Sequence, residues 1–168
     1  MCFETNIPSA DFRDSSILLV EDDDEEILSL KRAFRNARIS NPLSVVKDGE
    51  EAIKFLSGDG ARGDRSRYPI PFLILLDLRL PKLSGFEMLA WIREQPELAG
   101  LIIVVLTASD QVRDMTQAHE LGTNSYFVKP GTFDDLVESV KGIQGRWLPP
   151  GRPSADLDPS ETSGAVNP

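Results

Sequence analysis

Four stretches of this chain end an apolar run on a polar or charged side chain. Phe72-Leu73-Ile74-Leu75-Leu76 runs into Asp77, and Ile17-Leu18-Leu19-Val20 runs into Glu21-Asp22-Asp23-Asp24. Leu101 to Leu106 runs into Thr107, and Tyr126-Phe127-Val128 into Lys129-Pro130. An unpaired carboxylate inside a strand is costly, so Asp77 is expected where a strand ends and a loop opens to solvent. If all four runs belong to one sheet, acids, a hydroxyl and a cation gather at one of its ends. Clustered carboxylates repel, and one stays protonated unless a cation neutralises them. Asp22 and Asp77, with a backbone carbonyl and waters, suit Mg²⁺, which keeps several waters and takes few carboxylates. Lys129 and Thr107 offer a point cation and a hydroxyl donor to a phosphoryl group. An aspartate can itself attack phosphorus to form an acyl phosphate. The set points to phosphoryl transfer onto Asp77.

The elements that must position these groups are five strands, over 17–20, 43–46, 72–76, 101–106 and 125–128, read as continuous Val/Ile/Leu-rich runs buried on both faces. Helical spacing separates them. Ile27, Leu30, Phe34 and Ala37 predict a helix over 24–38, and a shorter one spans Glu51 to Leu56, stopped near Gly58. Phe86, Leu89 and Ile92 mark a third, Val112, Met115 and Leu121 a fourth, and Leu136, Val140, Ile143 and Trp147 a fifth. Thr132 is a fitting N-cap for the last. Alternating strands and helices imply an α/β fold, a doubly wound parallel sheet of order 2-1-3-4-5. Ligands of such sheets bind outside the carboxyl ends of the strands, beside the switch point between strands 1 and 3. Glu21, Asp22 and Asp77 fall there.

The totals bound the reading. The chain has 168 residues, 40 % hydrophobic and 27 % charged, as expected of one globular domain with a tail. We expect an N-terminal extension over 1–15, the folded domain over 16–148, and a flexible Pro- and Ser-rich tail over 149–168. A net charge of −9 argues against binding nucleic acid or an anionic membrane. Apolar runs of about six residues fall far short of the roughly 20 that cross a bilayer. A single cysteine, Cys2, and no apparent secretory signal point to a cytoplasmic setting.

Taken in order, Leu-Leu-Val-Glu-Asp-Asp at 18–23, Leu-Leu-Asp-Leu-Arg-Leu-Pro at 75–81, Gly85, Val-Leu-Thr-Ala at 105–108 and Tyr-Phe-Val-Lys-Pro at 126–130 resemble the receiver domains of two-component response regulators. The resemblance covers about residues 16–147. It implies that Asp77 accepts a phosphoryl group from a histidine of a partner kinase. It also implies that Asp22, Asp77 and the backbone carbonyl of Arg79 bind Mg²⁺, with Glu21 acting through water. Thr107 and Lys129 would contact the phosphoryl oxygens, and Thr107 and Tyr126 would form the switch. Glu21 stands where many members carry Asp, and Gly131 where an apolar residue is common. The long connection from Ser57 to Pro71, the Asn124 to Pro130 stretch and the expected lack of an output domain resemble small regulators paired with bacterial phytochromes. That narrower likeness implies a light-sensing kinase as partner and a homodimer through the helix 4–strand 5–helix 5 face.

Other readings compete. An aspartate-dependent phosphatase would use the same nucleophile, but wants a second acid where this chain has Arg79. An adaptor indifferent to phosphorylation is the other rival. Asp24, Glu25 and Glu26 are explained as an acidic first helical turn. The Arg62, Arg65 and Arg67 cluster is either a kinase-docking patch or a solubilising one. Trp147 and Leu148 either pack the last helix onto the domain or, with the prolines that follow, form an arm around a second subunit.

Overall fold

The computed structural model of the protein describes residues 16–59 and 64–148. The expected N-terminal extension, the Pro-rich tail and Arg62 lie outside the described residues. Five parallel strands, β1 (Ile17–Val20), β2 (Leu43–Val46), β3 (Leu73–Leu76), β4 (Ile102–Thr107) and β5 (Ser125–Val128), form one sheet in the order β2-β1-β3-β4-β5. The expected doubly wound topology is the observed one. Five helices follow the strands in turn: α1 (Asp24–Asn36), α2 (Gly49–Ser57), α3 (Gly85–Glu94), α4 (Val112–Glu120) and α5 (Phe133–Trp147).

Alternation along each strand sends successive side chains to opposite faces. Leu18, Val20, Ile74, Leu76, Ile103 and Val105 pack with Ala52 and Phe55 of α2, Met88, Leu89 and Ile92 of α3, and Ala118 of α4. Ile17, Leu19, Leu73, Leu75, Val104 and Leu106 pack with Ile27, Leu30, Ala33 and Phe34 of α1 and Val140 and Ile143 of α5. The central strands are buried on both faces as expected, but β2 and β5 are largely half-buried. Each is an edge strand, so its apolar residues have helical cover on less than their full circumference.

Register decides where the polar ends meet. Val20 pairs with Leu76, Leu76 with Val105, and Thr107 with Val128. Backbone bonds then carry the ladder one residue further: Glu21 N–H donates to Val46, Asp77 N–H to Val20 and Lys129 N–H to Thr107. Helix starts are fixed locally. Asp23 caps α1 by accepting from the Glu25 and Glu26 amides, and Thr132 caps α5 by accepting from Asp135. Gly85 is demanded by packing, since a Cβ there would stand 2.4 Å from the Asp77 carbonyl oxygen and 2.6 Å from Leu78 Cα. The glycine lets α3 begin against the turn that carries Asp77.

Contacts within the domain engage residues for which the sequence leaves two alternatives open. Arg65 donates to the carbonyls of Phe55 and Leu56 at the end of α2, at 3.0 and 2.6 Å, and to that of Tyr68. It therefore closes a helix C-terminus and ties residues 65–68 to it, which leaves Arg67, stacked over the Tyr68 ring at 5.7 Å, as the more exposed cation of the pair. Trp147 Nε1 donates to Ser125 Oγ at 2.8 Å and Leu148 is buried, so both residues pack α5 onto the domain.

Candidate functional site

Asp77 follows β3 directly, but it is buried, 7 % exposed, where the sequence led us to expect an opening to solvent. Its neighbours explain why burial is tolerated. Asp77 Oδ1 accepts from the Thr107 hydroxyl at 3.0 Å and from the Arg79 amide at 3.2 Å. Oδ2 lies 3.3 Å from Lys129 Nζ. A buried carboxylate supplied with a cation and two donors no longer bears the full desolvation cost. Thr107, the last residue of β4, is fully buried, and its hydroxyl already rests on Asp77.

Glu21 and Asp22 arrive from the end of β1. One carboxylate oxygen from each of Glu21, Asp22 and Asp77 lies within 4.8 Å of the others. Asp22 is exposed, and Glu21 is 2 % exposed. Burial pushes the Glu21 carboxyl up to about 8; the hydrogen bond from Lys129 works against this, while Glu26 and the Asp77 charge add to it. Carboxylate oxygens crowded on one spot are the donor set that a hard divalent cation prefers. The Arg79 backbone reaches the same spot through its amide, although the Arg79 side chain is exposed.

Lys129, just past β5, is the shared counter-ion. Its ammonium contacts Glu21 Oε2 at 2.5 Å, Asp77 Oδ2 at 3.3 Å and Glu26 Oε2. Burial alone would depress the Lys129 pKa, but the hydrogen bonds with Glu21 and Glu26 raise it above the ordinary lysine value. The Glu26 contact corrects the reading of that residue as helix-dipole charge alone. No local pattern reveals it, because its partner stands 103 positions along the chain.

Tyr126 is half-buried on β5, and its hydroxyl donates to the Ser109 carbonyl at 2.8 Å. Ser109 is buried, and its own hydroxyl donates to Asp114 in the first turn of α4. The loop after Thr107 is thus tied to both β5 and α4. The sequence places Ser109, with Arg79, only beside the expected phosphoryl position; its linking role lies in three contacts to different elements. His119 is exposed on α4. Among the described residues no helix is long and apolar enough to cross a membrane.

Comparison with known proteins agrees with this geometry. The family profile of the response regulator receiver domain matches residues 17–141. The response regulator Rcp1 of Synechocystis is 38 % identical over 132 residues, covering 79 % of this chain and 88 % of that protein. The phosphorylated cyanobacterial phytochrome response regulator RcpA superimposes with a TM-score of 0.75 at 36 % identity, over 84 % of this chain and 99 % of the other. The Mn²⁺-bound form of Rcp1 gives a TM-score of 0.72 at 37 % identity, over 80 % and 95 %. With its topology, its cluster of acids and its family profile in agreement, the chain belongs to the response regulator receiver domains.

Proposed function

We propose that the protein is a phosphorylation switch in which Asp77 accepts a phosphoryl group from a histidine of a partner kinase. One observation carries this reading: a buried aspartate held between the Thr107 hydroxyl and the Lys129 ammonium, with Glu21 and Asp22 at its side. In the reaction a carboxylate oxygen of Asp77 attacks phosphorus. The bond from phosphorus to the histidine nitrogen breaks, the nitrogen keeps the electron pair, and an acyl phosphate forms.

The carboxylate oxygens of Glu21, Asp22 and Asp77 fit a divalent cation of the Mg²⁺ kind; by the family resemblance Asp22, Asp77 and the Arg79 carbonyl would hold it, with Glu21 acting through water. When bound, it supplies positive charge against the phosphoryl oxygens. The chain's own groups do the rest. Lys129 offers its ammonium to the transferred group, and the Thr107 hydroxyl moves its hydrogen bond from Asp77 to a phosphoryl oxygen. Through Ser109 that shift reaches Tyr126 and α4, and biases the α4–β5–α5 face between two populations.

Output passes through protein contacts at that face, including a homodimer, and not through an enzymatic product. The partner kinase is a phytochrome-type light sensor; the likeness to solved regulators named for phytochromes supports this, and the setting is the cytoplasm. The test is intact mass after treatment with acetyl phosphate and Mg²⁺. The wild type should gain one phosphoryl group and Asp77→Asn none; a persistent gain at another aspartate would sink the assignment.

A further inference from the structure

We infer that Glu26 is a positioning residue for Lys129, which holds the ammonium back from an anion on Asp77 and so weakens the site's grip on a phosphoryl group. The inference deepens the proposed function and rests on it. A lysine ammonium has three N–H donors and no acceptor. Here three carboxylates take all three: Glu21, Asp77 and Glu26. Glu26 reaches over from the first turn of α1, where the Asp23 cap holds its amide, and stands beside a cavity lined by Ser29, Leu30, Leu106 and Thr132. The three acids differ in cover. Side-chain exposure is 2 % for Glu21, 9 % for Asp77 and 40 % for Glu26.

A phosphoryl group turns the Asp77 carboxylate into an acyl phosphate, which frees one Lys129 N–H, and brings several oxygens that need donors. For a second N–H to reach them, Glu21 or Glu26 must let go. Releasing the buried Glu21 leaves a polar group without partner or water, whereas Glu26 can rehydrate where it stands. Glu26 is therefore the partner exchanged. It competes with the phosphoryl oxygens for one N–H, and after displacement it remains a negative charge beside another. Both effects disfavour the anion-loaded state.

The probe is beryllofluoride, titrated at saturating Mg²⁺ against the wild type, Glu26→Gln and Glu26→Asp. The neutral isostere should bind about fivefold more tightly, while the charge-conserving aspartate stays within about twofold of the wild type. In the anion-free protein the Lys129 ammonium resonance should move in Glu26→Gln, which a purely structural role in α1 would not produce. Equal or weaker binding by Glu26→Gln, with wild-type binding intact, overturns the inference and leaves the proposed function standing. No binding by the wild type overturns both.

Discussion

Helices α1 and α4 flank the same acidic end of the sheet and are held in opposite ways. α1 buries Ile27, Leu30, Ala33 and Phe34, and its first turn is capped by Asp23. α4 buries only Ala118, and its N-cap residue Gln111 makes no side-chain capping bond. The end of α4 nearest Asp77 depends on Ser109, which bonds Asp114, and on Tyr126, which bonds Ser109. The far end is clamped. Arg93 donates to the carbonyls of Gly122, Ala99 and Leu101, and to Asn124 Oδ1 at 2.9 Å. One flank is held by buried apolar packing, and the other, where it faces the site, by a few hydrogen bonds. A group with little buried apolar surface and few bonds is the part of a fold that moves at low cost.

The comparison can be broken by measurement. The largest expected effect concerns the rigid side, where Glu21 is buried. A carboxyl raised from its ordinary value of 4.5 to about 8 favours the folded state in its protonated form. In Mg²⁺-free buffer that stability is fully present below pH 4.5 and is lost as pH rises through about 8, on the order of a few kcal/mol. Chemical denaturation across this range should show the decline, Glu21→Gln should flatten it, and Mg²⁺ should oppose it at the upper end. A slope unchanged in Glu21→Gln would assign the effect elsewhere.

Next come the two helices themselves. Leu30→Ala in α1 should cost about 3 kcal/mol, since it empties a site 2 % exposed. Tyr126→Phe removes one hydrogen bond to the Ser109 loop, so about 1 kcal/mol is expected. Its clearer signature is faster amide exchange confined to the first turn of α4; uniform acceleration across the domain would contradict a local latch. The smallest effect belongs to Val112→Ala, at a position 75 % exposed, where global stability should change by less than about 0.5 kcal/mol. Equal losses from Leu30→Ala and Val112→Ala would remove the contrast between the flanks.

Much of this was legible before any coordinates. The strand–helix alternation, the sheet order and the gathering of Asp77, Glu21, Asp22, Thr107 and Lys129 all agree with the fold, because periodicity and the handedness of crossovers constrain topology strongly. Boundaries moved by a residue or two: β4 extends through Thr107, and α1 ends at Asn36 with Arg38 in the left-handed region at φ 58°. The burial of Asp77 was not legible. It depends on Lys129 and Thr107 closing over the carboxylate, and those partners stand 52 and 30 positions away.

The sequence by itself determined which residues carry charge and at which strand ends they emerge, since apolar runs and turn residues act over a few positions. Only the tertiary structure decided how that charge is shared. Lys129 is divided among three carboxylates, Arg65 closes a helix when it could have faced a partner, and Ser109 ties a loop to two elements. The physical reason is range: hydrogen bonds and ion pairs act only within a few ångströms, and which groups come that close is set by the packing of distant segments.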